Sequence, residues 1–275
     1  MTTYGELLKS GEKELLASGI SDAGIDAWYL LEYLTGMTRT GFFLDRDREV
    51  SDEIKDRYGS LIQRRKEHIP LQHITGTQEF MGFDFFVNEN VLVPRQDTEC
   101  LVENVLPYAD GKKILDMCTG SGCIIISLKK LVETADCTGA DISKKVLEVA
   151  KRNAMSNKAE ISFVESDMFE NINEKYDIIV SNPPYIRPEV IKTLEPEVRE
   201  HDPMLALDGG EDGLMFYRVL AREGKKHLVS SGMMFMEIGY DQGRAVKDIF
   251  EYEGFKDVVV KKDLCENDRV VIANL

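Results

Sequence analysis

The 275-residue sequence is poor in the residues that build disulfide frameworks and metal centres. It contains only five cysteines and four histidines. An odd number of cysteines without a CxxC pair argues against a disulfide framework and against a structural zinc site. The histidines show neither an HExxH motif nor clustered spacing, so metal chemistry has no obvious ligands. These features predict a chain without a resident metal that works in a reducing cytoplasm.

Long hydrophobic runs and an excess of positive charge are also missing. No window approaches the roughly 18 apolar residues of a membrane span, and residues 1–18 are charged and amphipathic, unlike a signal peptide. The 34 basic residues face 49 acidic ones, which gives a formal net charge of −15. Such a chain repels polyphosphates unless it carries a concentrated basic patch. We therefore expect neither a membrane nor a long nucleic acid as its primary partner.

The first quarter of the chain has a helical pattern. Apolar residues recur at helical spacing through residues 3–67, and a third predicted helix, around residues 54–62, places the short basic run Arg64-Arg65-Lys66 on its exposed side. A hairpin with its turn near Gly82 is predicted at residues 80–87. The sequence thus predicts a helical domain at 1–72, a connecting segment at 73–94 and a larger domain at 95–275.

Strand and helix patterns alternate from residue 112 onward. Strands are predicted around residues 114–116, up to 141, 161–164, 176–180 and 233–238, with helices at 123–132, 144–156, 213–228 and 241–253. The segments 257–261 and 269–273 can form an antiparallel pair at a sheet edge. This alternation predicts an α/β fold with a doubly wound, mostly parallel sheet, which binds ligands at the carboxyl ends of its strands.

A glycine-rich turn follows the first of these strands, and it is the first candidate ligand loop. Glycines allow a close backbone approach to a ligand, and the N-terminus of the next helix favours a carboxylate or phosphate. A structural tight turn explains the pattern equally well, and the spacing matches neither GxGxxG nor a P-loop. The candidate cofactor-binding residues of this loop are Cys118, Thr119, Gly120, Ser121 and Gly122.

Two acidic residues follow the next strands. Asp141 can accept hydrogen bonds from both hydroxyls of a ribose, although it could instead cap helix 144–156, a role that Ser143 fills equally well. Asp167 could accept from the amino group of adenine while Met168 packs on the ring. In this order on successive strands, these residues and the glycine-rich loop favour an adenosine-containing ligand.

The tetrapeptide Asn182-Pro183-Pro184-Tyr185 follows a buried strand and is the candidate catalytic and substrate-binding segment. The prolines cannot extend the sheet and fix the backbone. A rigid turn of this kind directs the Asn182 side chain and the Pro183 carbonyl toward the end of the strand, where two acceptors can bind an NH2 group. Tyr185 offers a ring face on which a planar group can stack. Asn182, Pro183 and Tyr185 are therefore the predicted catalytic residues.

The chain resembles the protein-(glutamine-N5) methyltransferases that modify peptide chain release factors. The resemblance rests on the tetrapeptide, on the loop at 116–122, on the Pro94-Arg95 segment with Thr98-Glu99, and on the residues 207–213. Further similar segments surround Glu195, Glu197, Glu237 and Arg269. The Asn-Pro-Pro-Tyr motif alone is shared with adenine-N6 DNA and guanine-N2 ribosomal RNA methyltransferases, whereas Pro94-Arg95 and the residues 207–213 distinguish this family.

The resemblance implies a class I methyltransferase fold, Rossmann-like, with a small N-terminal helical bundle and a seven-stranded sheet whose last strand is antiparallel. It implies S-adenosylmethionine as the cofactor, contacted by residues 118–122, Asp141, Met168 and Asn182. The implied substrate is the glutamine of the Gly-Gly-Gln motif in release factors, held by residues 182–185. The N-terminal helices would dock the release factor, and the chain is expected to act as a monomer.

Two residues depart from the family pattern. Cys118 replaces the usual first glycine of the loop, and Met168 replaces a usual aromatic residue. A Cβ at position 118 disfavours a positive φ and takes space beside the ligand. No histidine or other base accompanies Cys118, which argues against a nucleophilic cysteine.

Two other functions are compatible with parts of the sequence. A nucleic-acid methyltransferase acting on adenine N6 or guanine N2 would use Tyr185 to stack a flipped base, but the charge of −15 favours a protein substrate. A binding module that has lost catalysis is disfavoured by the intact tetrapeptide. The acidic residues Glu195, Glu197 and Asp208 could anchor loops or contact the substrate.

Overall fold

The computed structural model describes residues 2–275, which form two compact units. One unit extends to Gly76 and includes Glu195–His201, and the other comprises Thr77–Leu194 and Asp202–Leu275. The helices are α1 (Tyr4–Ala17), α2 (Ala23–Thr35), α3 (Arg39–Asp45), α4 (Asp52–Lys66), α5 (Leu71–Thr75), α6 (Glu99–Val105), α7 (Cys123–Leu131), α8 (Lys144–Ser156), α9 (Pro188–Ile191), α10 (Pro196–His201), α11 (Met204–Leu207), α12 (Met215–Gly224) and α13 (Gly243–Tyr252). The strands are β1 (Thr77–Phe80), β2 (Phe83–Phe86), β3 (Lys113–Met117), β4 (Asp136–Asp141), β5 (Ser162–Glu165), β6 (Tyr176–Ser181), β7 (Leu228–Glu237), β8 (Lys256–Lys262) and β9 (Asp268–Asn274).

The first unit is a helical bundle, as the sequence predicts. Helix α1 begins with a capping box in which Thr3 accepts from the backbone N–H of Glu6, a device that satisfies amides left without helical partners. Helices α1, α2 and α4 bury one apolar core, and at its centre the Tyr58 hydroxyl donates to the Ala27 carbonyl at 2.9 Å. Burial of these apolar side chains is what holds the short helices together, because isolated helices of this length are marginal in water.

The prediction that the basic run lies on an exposed surface is wrong for Arg65. Its side chain is 5% exposed and donates to the Asp26 carboxylate at 2.6 Å, and it forms a second ion pair with Glu197 of α10. A buried guanidinium needs such partners because an unpaired buried charge is strongly unfavourable. Burial raises the pKa of Asp26 above its usual value. Glu197, whose side chain is 30% exposed, therefore anchors α10 to the buried Arg65.

The second unit begins with the predicted hairpin. Strands β1 and β2 pair antiparallel, and Met81 and Gly82 form the turn with positive φ angles of 52° and 77°. A non-glycine residue with positive φ is uncommon. The Glu99 carboxylate accepts from the Met81 backbone N–H at 2.7 Å and so stabilises this turn.

A seven-stranded sheet forms the centre of the second unit, in the order β5-β4-β3-β6-β7-β9-β8. The first five of these strands are parallel, whereas β9 runs antiparallel between β7 and β8. Both the mostly parallel sheet and its antiparallel last strand are confirmed. After β3, the polypeptide adds β4 and β5 on one side of β3 and then crosses to add β6 and β7 on the other side. The strand order therefore reverses at β3. Ligands bind at such a switch point in open α/β sheets.

Both faces of the sheet are covered, which explains the nearly continuous apolar strands. Ile114 and Ile178 contribute to one core cluster, while Leu115 and Ile179 contribute to the other. Successive residues of a strand point to opposite faces, so neighbouring positions fill different cores. Within residues 2–275, every helix is too short or too polar to span a lipid bilayer.

Candidate active site

A cavity of about 320 Å³ lies at the carboxyl ends of β3, β4 and β6, within the second unit. Met117 of β3 pairs with Ser181 of β6, so the segments that follow these two strands are neighbours. The predicted site residues that line the cavity are Cys118, Thr119, Gly120, Ser121, Asp141, Asp167, Met168, Asn182 and Pro184. Gly122, Pro183 and Tyr185 are not among the lining residues.

Buried hydrogen bonds fix the glycine-rich loop. The Thr119 hydroxyl donates to Asp116 Oδ2 at 2.6 Å, and the Thr119 backbone N–H donates to the Ala140 carbonyl at 2.9 Å. Burial raises the pKa of Asp116 to about 7, because the surroundings disfavour its charged form. Gly122, at φ 81°, precedes the first residue of α7. It shapes the loop from behind rather than facing the cavity.

Asp141 lies at the end of β4 and faces the loop. Its Oδ2 accepts from the Gly120 N–H at 3.1 Å, and its Oδ1 accepts from the Ser143 N–H at 3.1 Å. The cap of α8 is Ser143, whose hydroxyl accepts from the Val146 N–H. A carboxylate has about four lone-pair directions, so each oxygen of Asp141 can still accept one further hydrogen bond. Burial raises the pKa of Asp141.

Asp167 and Met168, which follow β5, also line the cavity. Asp167 is exposed, and Met168 is partly buried. The Ser166 hydroxyl donates to the Met168 carbonyl at 2.7 Å and accepts from the Asn171 N–H at 2.9 Å. These bonds stabilise a tight turn in which Met168 has a φ of 42°. The turn leaves the Asp167 carboxylate available to a ligand.

Cys118 has a φ of 63°, in the region that glycine adopts without strain. Its sulfur lies 4.0 Å from the Met168 sulfur, so the two residues that depart from the family pattern are in contact. Burial raises the pKa of the Cys118 thiol well above its ordinary value. A thiol that stays protonated is a poor nucleophile, which agrees with the absence of a companion base.

Replacing Cys118 by glycine is expected to raise the free energy of unfolding, by up to about 1 kcal/mol, because it removes the strain of a Cβ in the left-handed region. Urea denaturation measures this change, and calorimetry is expected to show tighter cofactor binding. Cys118→Ala is the matched control, since it removes the thiol but keeps the Cβ. Equal stability of the two variants would contradict the strain argument.

The segment after β6 makes a rigid corner beside the cavity. Asn182 lines the cavity, and its Nδ2 donates to the Thr98 hydroxyl oxygen at 3.2 Å. Among the described residues, no group donates to Asn182 Oδ1 or to the Pro183 carbonyl. Pro183 and Pro184 are buried. Asn182 therefore lines the cavity with an Oδ1 that lacks a protein donor, and the carbonyl of the adjacent, buried Pro183 lacks one as well.

The sequence analysis predicts that Tyr185 offers an open ring face on which a planar group can stack. The structure holds this side chain differently. Its side chain is partly buried against a core cluster, and its hydroxyl donates to Glu237 Oε1 at 3.3 Å. Glu237 ends β7, and its buried carboxyl has a pKa raised to about 7 because burial disfavours the charge. The ring of Tyr185 is thus fixed from the sheet side, outside the lining of the cavity.

A second loop packs directly on the corner. The Ile186 N–H donates to the Leu207 carbonyl, and the Gly209 N–H donates to the Ile186 carbonyl, both at 2.9 Å. A Cβ on Gly209 would lie 2.6 Å from Tyr185 Cα, so only glycine fits here. Asp208 accepts from the Gly210 N–H at 2.9 Å, which identifies it as a loop anchor. The glycines that distinguish the family thus serve a close backbone contact.

The sequence analysis gave no role to several residues of the site, although Arg95, Thr98 and Glu237 belong to segments that resemble the family. Thr98 lines the cavity and is 3% exposed, and Glu237 is 2% exposed. Arg95 also lines the cavity and forms an ion pair with the buried Asp202 at 3.0 Å. Gln242 donates to the carbonyls of Tyr185 and Gly213. Their partners are distant in sequence, so local patterns could not reveal these contacts.

Within residues 2–275, no cluster of acidic, cysteine or histidine side chains has the form of a metal site.

Comparison with known proteins identifies both units of the chain. The family model described as PrmC N-terminal domain matches residues 6–76, and the model described as Methyltransferase small domain matches residues 95–198. The release factor glutamine methyltransferase of Agrobacterium fabrum is 41% identical over 98% of this chain and 96% of that protein. The protein of the same name from Geobacter sulfurreducens is 38% identical over 94% of this chain and 91% of that protein.

Two solved structures share the fold at low sequence identity. A methyltransferase from Pyrococcus furiosus is 17% identical, with a TM-score of 0.55 over 70% of this chain and 89% of that chain. A 16S rRNA N2 G1207 methyltransferase from Thermus thermophilus, in complex with AdoMet and guanosine, is also 17% identical. Its TM-score is 0.51 over 72% of this chain and 49% of that chain. These similarities confirm the class I methyltransferase fold.

Proposed function

The chain belongs to the release factor glutamine methyltransferase family, and we propose that it methylates the glutamine side-chain amide of the Gly-Gly-Gln motif in peptide chain release factors. The methyl donor is S-adenosylmethionine. The observation that carries the proposal is the corner at Asn182 and Pro183, with two acceptors that lack protein donors beside a cavity lined by Asp141.

The residues around the cavity fit the proposed cofactor. The remaining lone pairs of Asp141 suit the two ribose hydroxyls, and the exposed Asp167 suits the adenine amino group. Met168 offers an apolar, polarisable contact to the ring, and the loop residues 118–122 shape the floor. Asn182 lies between this region and the substrate. The fit requires no metal, because each contact is a hydrogen bond or an apolar contact.

The geometry of the corner suits an amide nucleophile. The lone pair of an amide nitrogen is delocalised into its carbonyl, and its protons are too weakly acidic to be removed first. Acceptors on both N–H bonds, Asn182 Oδ1 and the Pro183 carbonyl, favour a pyramidal nitrogen whose lone pair faces the methyl donor. This is preorganised electrostatic stabilisation combined with alignment. The sulfonium of the cofactor supplies an electrophilic methyl group, so no base has to remove an amide proton first. The N–CH3 bond forms as the S–CH3 bond breaks, the sulfonium leaves as a neutral thioether, and one N–H proton then passes to water.

The remaining residues of the tetrapeptide stiffen the site. Pro184 fixes the backbone after the acceptors, and the hydrogen bond from the Tyr185 hydroxyl to Glu237 holds the end of the tetrapeptide against the sheet. The net charge of −15 disfavours long nucleic acid as the substrate. We assign the helical domain, residues 1–72, to docking of the release factor, and we expect a monomer that acts in the cytoplasm.

The proposal is tested by incubating the protein with labelled S-adenosylmethionine and purified release factors. Parallel reactions contain tRNA, ribosomal RNA and DNA, and mass spectrometry maps the labelled residue. The expected result is label on the glutamine of Gly-Gly-Gln and no label on nucleic acid. Label on an adenine or guanine amino group, with release factors unlabelled, would support the nucleic-acid alternative and contradict the proposal.

A further inference from the structure

A buried chain of polar groups runs from the corner to the end of β7. Thr98, in the short 3-10 turn Gln96–Thr98, accepts from Asn182 Nδ2 at 3.2 Å. The Thr98 side chain also interacts with the Glu237 carboxyl, and this interaction lowers the pKa of Glu237 against the stronger effect of burial. Tyr185 donates to Glu237 from the other end of the tetrapeptide at 3.3 Å. The chain thus ties both ends of residues 182–185 to one carboxylate.

The order of donors along this chain has one consequence for Asn182. A threonine hydroxyl has a single proton. An ionised Glu237 can only accept, so we expect the Thr98 proton to turn toward this carboxylate. The Thr98 oxygen then offers only lone pairs toward Asn182. The Asn182 amide must then turn its NH2 group to Thr98, which leaves Oδ1 as the group without a protein donor.

The opposite orientation would be inert for the proposed reaction. An Asn182 side chain flipped by 180° would present NH2 to the substrate, where it would repel the N–H bonds of the glutamine amide instead of accepting from them. The two rotamers have nearly the same shape, so packing alone selects weakly between them. A polar partner inside the protein is required to fix the choice.

We propose that Thr98 and Glu237 are positioning residues that hold the Asn182 amide with its oxygen toward the substrate nitrogen. The inference rests on the proposed function and deepens it. Arg269 supports the arrangement, because its guanidinium favours the charged form of Glu237 and is itself held by Asp97 and Asp263, each at 3.0 Å. Glu237 acts through Thr98, and Thr98 acts through Asn182.

The first test compares Thr98→Val with Thr98→Ser. Valine keeps the shape of threonine but cannot accept from Asn182, whereas serine keeps the hydroxyl. Thr98 makes no side-chain cap bond to α6, so neither change removes a helix cap. We expect kcat for release-factor methylation to fall about tenfold to thirtyfold in Thr98→Val, less than loss of a direct contact. The cofactor Kd and the KM for release factor should stay within about twofold of wild type.

Thr98→Ser is expected to restore most of the lost kcat. Unchanged kcat in Thr98→Val would overturn the inference while leaving the proposed function intact. Equal losses in the valine and serine variants would also overturn it, since they would assign Thr98 a packing role. A wild-type protein that leaves release factors unmethylated would contradict the proposed function itself, and the inference would fall with it.

The second test uses pH, because the proposed order of hydrogen bonds requires a charged Glu237. Its pKa, raised to about 7 by burial, means that the carboxylate predominates above neutral pH and the protonated acid below it. A protonated Glu237 can donate to Thr98, which frees the Thr98 proton for Asn182 Oδ1. The ionisable groups that face the Glu237 carboxyl are Arg269, Asp97, Tyr185, Tyr217, Cys100 and Cys123.

The single-turnover rate of methyl transfer is therefore expected to fall as pH drops through about 7 in the wild type, with a one-proton step. Glu237→Gln is expected to be slow and to lack that step, because an amide does not titrate and can donate to Thr98. The buried Asp116 also has a pKa raised to about 7. If its titration caused the pH step, that step would remain in Glu237→Gln. A step that persists in Glu237→Gln would contradict the role assigned to Glu237.

Discussion

Replacing Asn182 by alanine is expected to lower kcat for release-factor methylation by about 10³-fold, the usual loss when one preorganised polar contact to a transition state is removed. The variant loses the Oδ1 acceptor that favours the pyramidal nitrogen, and it leaves only the Pro183 carbonyl. Cofactor binding should be largely retained, because the contacts assigned to Asp141 and Asp167 remain. Initial rates with saturating release factor and calorimetry of the cofactor measure the two effects separately.

Asn173→Ala is the matched control for this variant. Asn173 is exposed and donates only a long bond, 3.4 Å, to the Asn171 carbonyl. It lies outside the cavity lining, so its removal should leave kcat and cofactor affinity as in the wild type. Turnover by Asn182→Ala close to that of the control would remove the mechanism proposed for the corner.

Replacing Asp141 by alanine is expected to weaken cofactor binding about 100-fold or more. Two hydrogen bonds from ribose hydroxyls to a charged carboxylate are worth about 1.5–3 kcal/mol each, and 1.4 kcal/mol corresponds to a tenfold change in affinity. Titration calorimetry measures the change directly. Affinity equal to the wild type would mean that Asp141 serves only the backbone amides of Gly120 and Ser143.

A second ligand separates the ribose contact from a loosening of the loop. A 2′-deoxy analogue of the cofactor product lacks one hydroxyl, so it should bind the wild type at least tenfold more weakly than the parent compound. In Asp141→Ala the two ligands should bind alike, because the acceptor for that hydroxyl is gone. An unchanged difference between the ligands in the variant would assign the lost affinity to the loop.

The sheet could be predicted from sequence because its signals are local. Buried parallel strands are nearly continuous apolar runs, and the strand ends are marked by Asp141, by Asn182 and by glycines. These features located β3 to β6 and the loops after them to within a few residues. The prediction for β7 found its end but missed its first five residues, Leu228–Gly232, because the helical pattern was extended to residue 228. The short helices α9, α10 and α11 have four to six residues and therefore show no periodicity. Their positions emerged only from the structure.

The contacts that orient the site could not be predicted, because they join distant parts of the chain. The Thr98–Asn182 bond spans 84 residues, and the Tyr185–Glu237 bond spans 52. Arg65 shows the same limit in the helical unit, where its partner Glu197 lies 132 residues away. A sequence pattern indicates that a polar residue exists on an element, but tertiary packing decides whether that residue is buried, paired or exposed.

The most direct test of the account is a crystal structure of the protein with S-adenosylhomocysteine and a release factor. We expect the glutamine Nε2 of Gly-Gly-Gln within about 3.2 Å of both Asn182 Oδ1 and the Pro183 carbonyl oxygen, with the adenosine ribose on Asp141. A glutamine amide bound elsewhere, or an adenosine outside the cavity beside this corner, would contradict the account.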